Sequence, residues 1–63
     1  MTGEQRQVYF EHTMIGRSVK VVAIDSLTGV EVSIVGPANT AKADLERLAL
    51  RKLITRINRE QGG

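Results

Sequence analysis

The chain contains no cysteine and no tryptophan, and only one proline, one histidine, one tyrosine and one phenylalanine among its 63 residues. Each scarcity removes a class of explanation. Without cysteine there is no disulfide framework. With a single imidazole and no thiolate there is no ligand set for structural zinc, so neither a metal nor another cofactor is expected. No apolar run is long enough to span a bilayer, and the opening MTGEQRQ lacks the apolar core of a signal peptide, so the expectation is a cytoplasmic protein without membrane contact. Charge of one sign is also scarce. The net formal charge is +2, too little to make nucleic acid the default partner. A chain this short forms a single domain and buries only about 60% of its unfolded surface. Small scaffolds ordinarily rely on disulfides, a metal or association, and only association is left open here.

What the sequence does have is a stretch at 18–37, SVKVVAIDSLTGVEVSIVGP, in which two runs of β-branched residues flank a turn and stop at Gly36-Pro37. Val, Ile and Thr are stiff at the first side-chain torsion and fit a pleated surface, so both runs favour strands. Between them, Leu27-Thr28-Gly29 suits a three-residue loop with Gly29 in the left-handed region, which pairs Ser26 with Val30. That register sets Ile24 opposite Val32, Val22 opposite Ile34 and Val21 opposite Val35. Upstream, QVYFEHTMI reads as a further strand, because β-formers dominate it and Gly16-Arg17 suits a two-residue type II′ turn. The turn pairs Ile15 with Ser18, Met14 with Val19, His12 with Val21, Phe10 with Ala23 and Tyr9 with Ile24.

These registers divide the sheet into a face with Tyr9, Ile15, Val22, Ile24, Val32 and Ile34, and another with Val8, Phe10, Met14, Val19, Val21, Ala23 and Val35. Neither is polar, whereas a sheet with one wet side should alternate cleanly. Downstream, Gly36-Pro37 ends the sheet. Asn39 or Thr40 offers an N-cap to AKADLERLALRKLITRINR, whose early acidic and late basic residues match a helix dipole. Ala41, Leu45, Ala49, Leu53 and Ile57 form an i+4 ridge, flanked early by Leu48 and late, on the other side, by Leu50 and Ile54. The expected fold is α+β, a three-stranded antiparallel meander followed by one C-terminal helix (βββα), with the helix on the face of Val22, Ile24, Val32 and Ile34. Its parts are a mobile arm at 1–6, the meander at 7–35, the helix at 39–60 and a tail at 61–63.

Candidate chemistry is sparse. His12 adjoins Glu11, yet neighbours in a strand point to opposite faces and cannot cooperate. Asp25 and Glu31 pair across the hairpin in this register, where two carboxylates beside an open turn read as solvated. Residues 36–41 lead into a helix start whose amides could hold an anion, but one glycine there is far from a phosphate loop. No catalytic, metal or cofactor site is expected. Arg47, Arg51, Lys52, Arg56 and Arg59 make the helix basic and offer a nucleic-acid surface as the alternative function. They spread around the circumference, as solvated charges do.

The segments YFE, VKV.AID..TG.EVSIVGP and LER.ALRKL, spanning Tyr9 to about Leu53, resemble a family of short uncharacterised alphaproteobacterial proteins, a domain of unknown function. The resemblance implies a small cytoplasmic protein with a shared fold, and it carries no activity or ligand to this chain. The function expected is a non-catalytic interaction or assembly module acting as a homodimer. Its anchors would be Phe10, Met14, Val19, Val21 and Val35 on the uncovered sheet face, with Leu50 and Ile54 on the helix; an unidentified protein partner is the rival.

Overall fold

The computed structural model describes residues 6–62. Three antiparallel strands, β1 (Val8–Ile15), β2 (Ser18–Asp25) and β3 (Glu31–Pro37), form a sheet in the order β1-β2-β3, followed by one helix, α1 (Lys42–Gly62). This is the α+β, βββα arrangement that the sequence pattern predicts. Of the arm expected at 1–6, residues 1–5 lie outside the described residues, and Arg6 is engaged in an ion pair described below. The helix runs through Gly62, beyond the expected end at 60, and Gly63 lies outside the described residues.

The first hairpin follows its turn chemistry. Gly16 has φ +60° and Arg17 has no positive φ, as a type II′ turn requires. Tyr9 lies opposite Ile24, Phe10 opposite Ala23, His12 opposite Val21, Met14 opposite Val19 and Ile15 opposite Ser18, all as expected.

The second hairpin is slipped by one residue from expectation. Ile24 faces Glu31, Val22 faces Ser33 and Val21 faces Ile34. Gly29 does have positive φ, at +77°, but it closes a loop of four residues rather than three. Its N–H donates to the Asp25 carbonyl, and the Asp25 N–H donates to the Val30 carbonyl, both at 2.9 Å. Gly29 and Val30 thus share Asp25 as their cross-strand partner, a bulge with glycine at its left-handed position. The added loop residue has an identifiable cause. The Asp25 carboxylate accepts the Thr28 hydroxyl at 2.7 Å and the Thr28 N–H at 3.1 Å, and Thr28 Oγ1 in turn accepts the Val30 N–H at 3.1 Å. An aspartate that bonds its own backbone downstream starts the turn at itself, not one residue later.

The slip inverts β3 relative to β2 and corrects both face assignments. The inner face carries Val19, Val21 and Ala23 with Val32, packed under Leu45, Ala49, Leu53 and Ile57 of α1, while Val8, Phe10, Val30 and Ile34 pack partly against this core. The helix therefore covers the Val19-Val21-Ala23 side of β2, opposite to the expected Val22-Ile24 side. Clean alternation is restored in β3, where Val32 is buried while Glu31 points outward. The open face is mixed, with Glu11, Thr13, Ser18, Lys20, Glu31 and Ser33 among Tyr9, Ile15, Val22, Ile24 and Val35, so the expectation of two apolar faces does not hold.

The helix ridge is as the i+4 spacing predicts from Leu45 to Ile57, but Ala41 lies exposed before the first turn. The Ala41 carbonyl accepts the Leu45 N–H at 3.2 Å, so the cap position falls on Ala41 rather than on Asn39 or Thr40. Thr40 instead donates its N–H to the Pro37 carbonyl at 3.0 Å, closing the turn out of the sheet. The helix approaches the sheet where side chains are small: a Cβ on Gly36 would stand 2.7 Å from Leu45 Cδ2.

Asp25 is fully buried at the end of β2. The Thr28 hydroxyl, against the opposing effect of burial, together with the Thr28 N–H, Arg6 and the Leu27 N–H, holds its carboxyl below the ordinary value of 3.8. Arg6 Nε lies 2.9 Å from Oδ1 in ion-pair contact, without the alignment of a hydrogen bond. A carboxyl whose folded pKa is lowered contributes stability that is present above its unfolded value and is lost as pH falls through the folded one. Chemical denaturation followed by circular dichroism should therefore show stability declining from about pH 5 downward, and Asp25→Asn should flatten part of that decline while lowering stability at neutral pH. Gly29→Ala should destabilise by about 1 kcal/mol, because alanine resists positive φ even where space is open.

Candidate functional site

At about 100° per residue, the helix presents two flanking rows beside its buried ridge. Glu46, Leu50 and Ile54 form one row, and Leu48, Lys52 and Arg56 the other. Two contacts orient them. Glu46 Oε2 meets His12 Nε2 of β1 at 3.0 Å, and Lys52 Nζ donates to the Ser33 carbonyl of β3 at 2.7 Å. The first row thus lies on the β1 side and the second on the β3 side. The helix packs mainly on β2 and β3. Over β1 it leaves a strip on which Phe10 and Met14 of the strand are incompletely covered and toward which the row of Leu50 and Ile54 turns, the latter two lining a shallow depression with Arg47, Arg51 and Thr55. Met14 is 63% exposed and Ile54 49%.

The two sheet edges differ as sharply. The Ser26 N–H donates to the Gln7 carbonyl at 2.9 Å, so in β1 the residues in phase with Gln7 turn their backbone groups toward β2, and Val8, Phe10, His12 and Met14 turn theirs outward. In β3 the same phase argument, from Asp25 bonding Val30 and from the Ala38 N–H donating to the Arg17 carbonyl, leaves Glu31, Ser33, Val35 and Pro37 facing out. That edge is blunted. Pro37 has no N–H, and the Ser33 carbonyl is occupied by Lys52. On β1, by contrast, no bond among the described residues occupies the outward backbone groups of Val8, Phe10, His12 or Met14.

The expected interface residues divide accordingly. Met14, Leu50 and Ile54 lie on the β1-side strip, and Phe10 lies there half-buried. Val19 and Val21 are core residues beneath the chain's own helix, at 6% and 0% exposure, which corrects their assignment to an uncovered face. Val35 is exposed on the open face, away from the strip. Glu46 is the residue that sequence reasoning missed. Its signal was its i+4 spacing to Leu50 and Ile54, which becomes informative only once the side facing β1 is known.

The chemical candidates remain dispersed. His12 pairs with Glu46 across the helix–sheet junction, not with Glu11, and both partners are partly exposed. No hydroxyl or thiol is bonded to His12 among the described residues, so the pair has no nucleophile to activate. Asp25 and Glu31 fall on opposite faces of the sheet, which removes the expected carboxylate pair. No three potential metal ligands gather among the described residues. The surface depressions are open. One of about 260 Å³ runs beside the strip past His12, Met14, Val19 and Leu45. The basic residues are spread about the helix, with Lys52 and Arg56 on the β3 side and Arg47, Arg51 and Arg59 turned outward. Two of them are engaged, Lys52 with Ser33 and Arg47 with Asp44 at 2.9 Å. No helix among the described residues is long and apolar enough to cross a membrane.

Comparison with curated proteins and with solved structures returned no match. A family profile, described as a domain of unknown function (DUF6898), matches residues 5–60 and so takes in the whole sheet, the β1-side strip and nearly all of the helix. The chain belongs to the DUF6898 family.

Proposed function

We propose that the protein is a non-catalytic assembly module that acts as a homodimer through the β1 side of its fold. The observation that carries this reading is the coincidence, on one side only, of an unblocked strand edge and an apolar strip built from Phe10, Met14, Leu50 and Ile54. Apolar side chains that continue a core past its own covering helix mark a surface meant to be covered. Lys52 and Arg56 line the β3 side; on the β1 side Glu46 stands 3.0 Å from His12, with Lys42 beside His12 and Met14 and Arg47 and Arg51 beside Leu50 and Ile54. A chain of 63 residues without cysteine has association as its remaining route to a larger core. A two-fold pairing is the commonest closed arrangement for identical chains. With this reading goes a bacterial cytoplasmic setting, supported by the resemblance to short alphaproteobacterial proteins.

Nucleic-acid binding through Arg47, Arg51, Lys52, Arg56 and Arg59 has less support, because two of these side chains, Arg47 and Lys52, are already engaged within the chain.

Light scattering at micromolar concentration should give a dimeric mass; a monomeric mass unchanged on concentrating would overturn the homodimer. Leu50→Glu combined with Ile54→Glu should weaken association by about tenfold or more while leaving the helical circular dichroism signal intact. Fluorescence titration with an oligonucleotide at two salt concentrations should show no strongly salt-dependent binding. A steep loss of affinity with added salt would favour the basic helix as the functional surface instead.

A further inference from the structure

Resting on the homodimer reading, we propose that the second copy docks by β-augmentation: the two β1 strands pair antiparallel about a two-fold axis at His12, joining the sheets into one of six strands.

The backbone supplies the first ground. Val8, Phe10, His12 and Met14 turn their N–H and C=O groups outward on an edge with no proline and no lysine, and such a row is a template for another strand. A two-fold axis perpendicular to the sheet keeps both helices on the same side and sets residues of like face opposite one another. It also makes the outward-turned residues the hydrogen-bonded pairs.

The side chains then select the register. An axis at Glu11 would oppose the two Glu11 carboxylates and set Phe10 against His12; like charges directly opposite are destabilising. An axis at Phe10 or Thr13 lies farther from the middle of Val8–Ile15 and shortens the ladder. With the axis at His12, Phe10 lies opposite Met14 of the second copy on the helix side, and Tyr9 opposite Ile15 on the open side. Glu11 meets Thr13. Tyr9 and Ile15 are 54% and 53% exposed in the single chain, and each gains an apolar cross-strand neighbour. The two imidazoles meet at the axis, each with its own Glu46 carboxylate at 3.0 Å. Leu50 and Ile54 of each copy stand on the side of the helix that faces the joint.

Because the chain has no cysteine, the register can be read by cross-linking. Glu11 and Thr13 form a non-hydrogen-bonded pair in this arrangement, with Cα atoms about 4.5 Å apart, within disulfide reach. Chains carrying Glu11→Cys mixed with chains carrying Thr13→Cys should oxidise to the mixed cross-linked dimer, and neither variant alone should cross-link comparably. Cross-linking by Glu11→Cys alone, or by no combination in a protein of dimeric mass, would overturn this register while leaving the homodimer reading intact. A monomeric mass for the unmodified chain would overturn both. Met14→Pro removes one outward N–H without touching the β1–β2 ladder and should abolish the dimer with the secondary structure retained. A folded Met14→Pro protein that stays dimeric would overturn the strand pairing.

Discussion

The hydrogen bonds from Thr28 to the buried carboxylate of Asp25 are the constraint on which the rest of this structure depends. They start the second turn at Asp25, and that choice sets the register of β3. Because side chains alternate with a period of two, a turn one residue shorter would have brought Glu31 and Ser33 onto the same face as Val21 and Ala23. Two carboxylate hydrogen bonds thus decide which side chains of β3 lie under the helix and which lie in water. Gln7 extends the same node to the first strand: its N–H donates to Ser26 Oγ at 3.0 Å while its carbonyl accepts the Ser26 N–H at 2.9 Å. The turn, the entry to β1 and Arg6 are tied together at one end of the sheet.

The position of the helix follows from what comes next in the chain. Only residues 38–41 separate β3 from α1, so the helix begins beside the β3 edge and returns over β3 and β2. Gly36 under Leu45, and Ala23 with Ala49 in the core, allow it to lie close. One helix is about 10 Å across with its side chains, whereas three strands at about 4.8 Å spacing are wider. A helix anchored near one edge therefore leaves the opposite edge half covered. β1 is that edge, and Phe10 and Met14 are what the helix does not reach.

Much of this was legible in the sequence. The type II′ turn at Gly16-Arg17 set the first register, and the Leu45-Ala49-Leu53-Ile57 ridge identified the buried side of the helix, because both signals are local and chemically narrow. The second register was not legible from pattern alone. β2 is apolar on both faces, Val19-Val21-Ala23 on one and Val22-Ile24 on the other, so either face would serve as a core and hydrophobic alternation could not choose. The deciding signal was the Asp25-to-Thr28 spacing, a side-chain turn motif that competes with glycine position as a guide to loop length. The helix cap was misplaced for a related reason. Thr40 was committed by its N–H to the turn out of β3, and the first helical hydrogen bond closed on Ala41. Within the candidate site, Met14, Leu50 and Ile54 were visible as surplus apolar residues. Glu46 and the contrast between the two edges were not, since both depend on which side of the helix faces β1.

The register correction also changes the ground on which association rests. With two apolar sheet faces, a partner would have been required to cover a whole second layer. The structure replaces that demand with a smaller and more specific one, because the open face carries enough Glu, Lys, Ser and Thr to face water. Besides the exposed Tyr9, Ile15 and Val35 of the open face, what remains uncovered is the flank of a core, where Phe10 is only partly buried and Leu50 and Ile54 stand on the adjoining side of the helix. An interface of this kind continues the interior of the protein sideways. In the proposed pairing it would add hydrogen bonds to a strand already ordered by β2, so little further conformational entropy would be lost. In a domain this small, covering the β1 flank would add to a core that is otherwise short of apolar contacts, so folding and the proposed association would draw on the same residues.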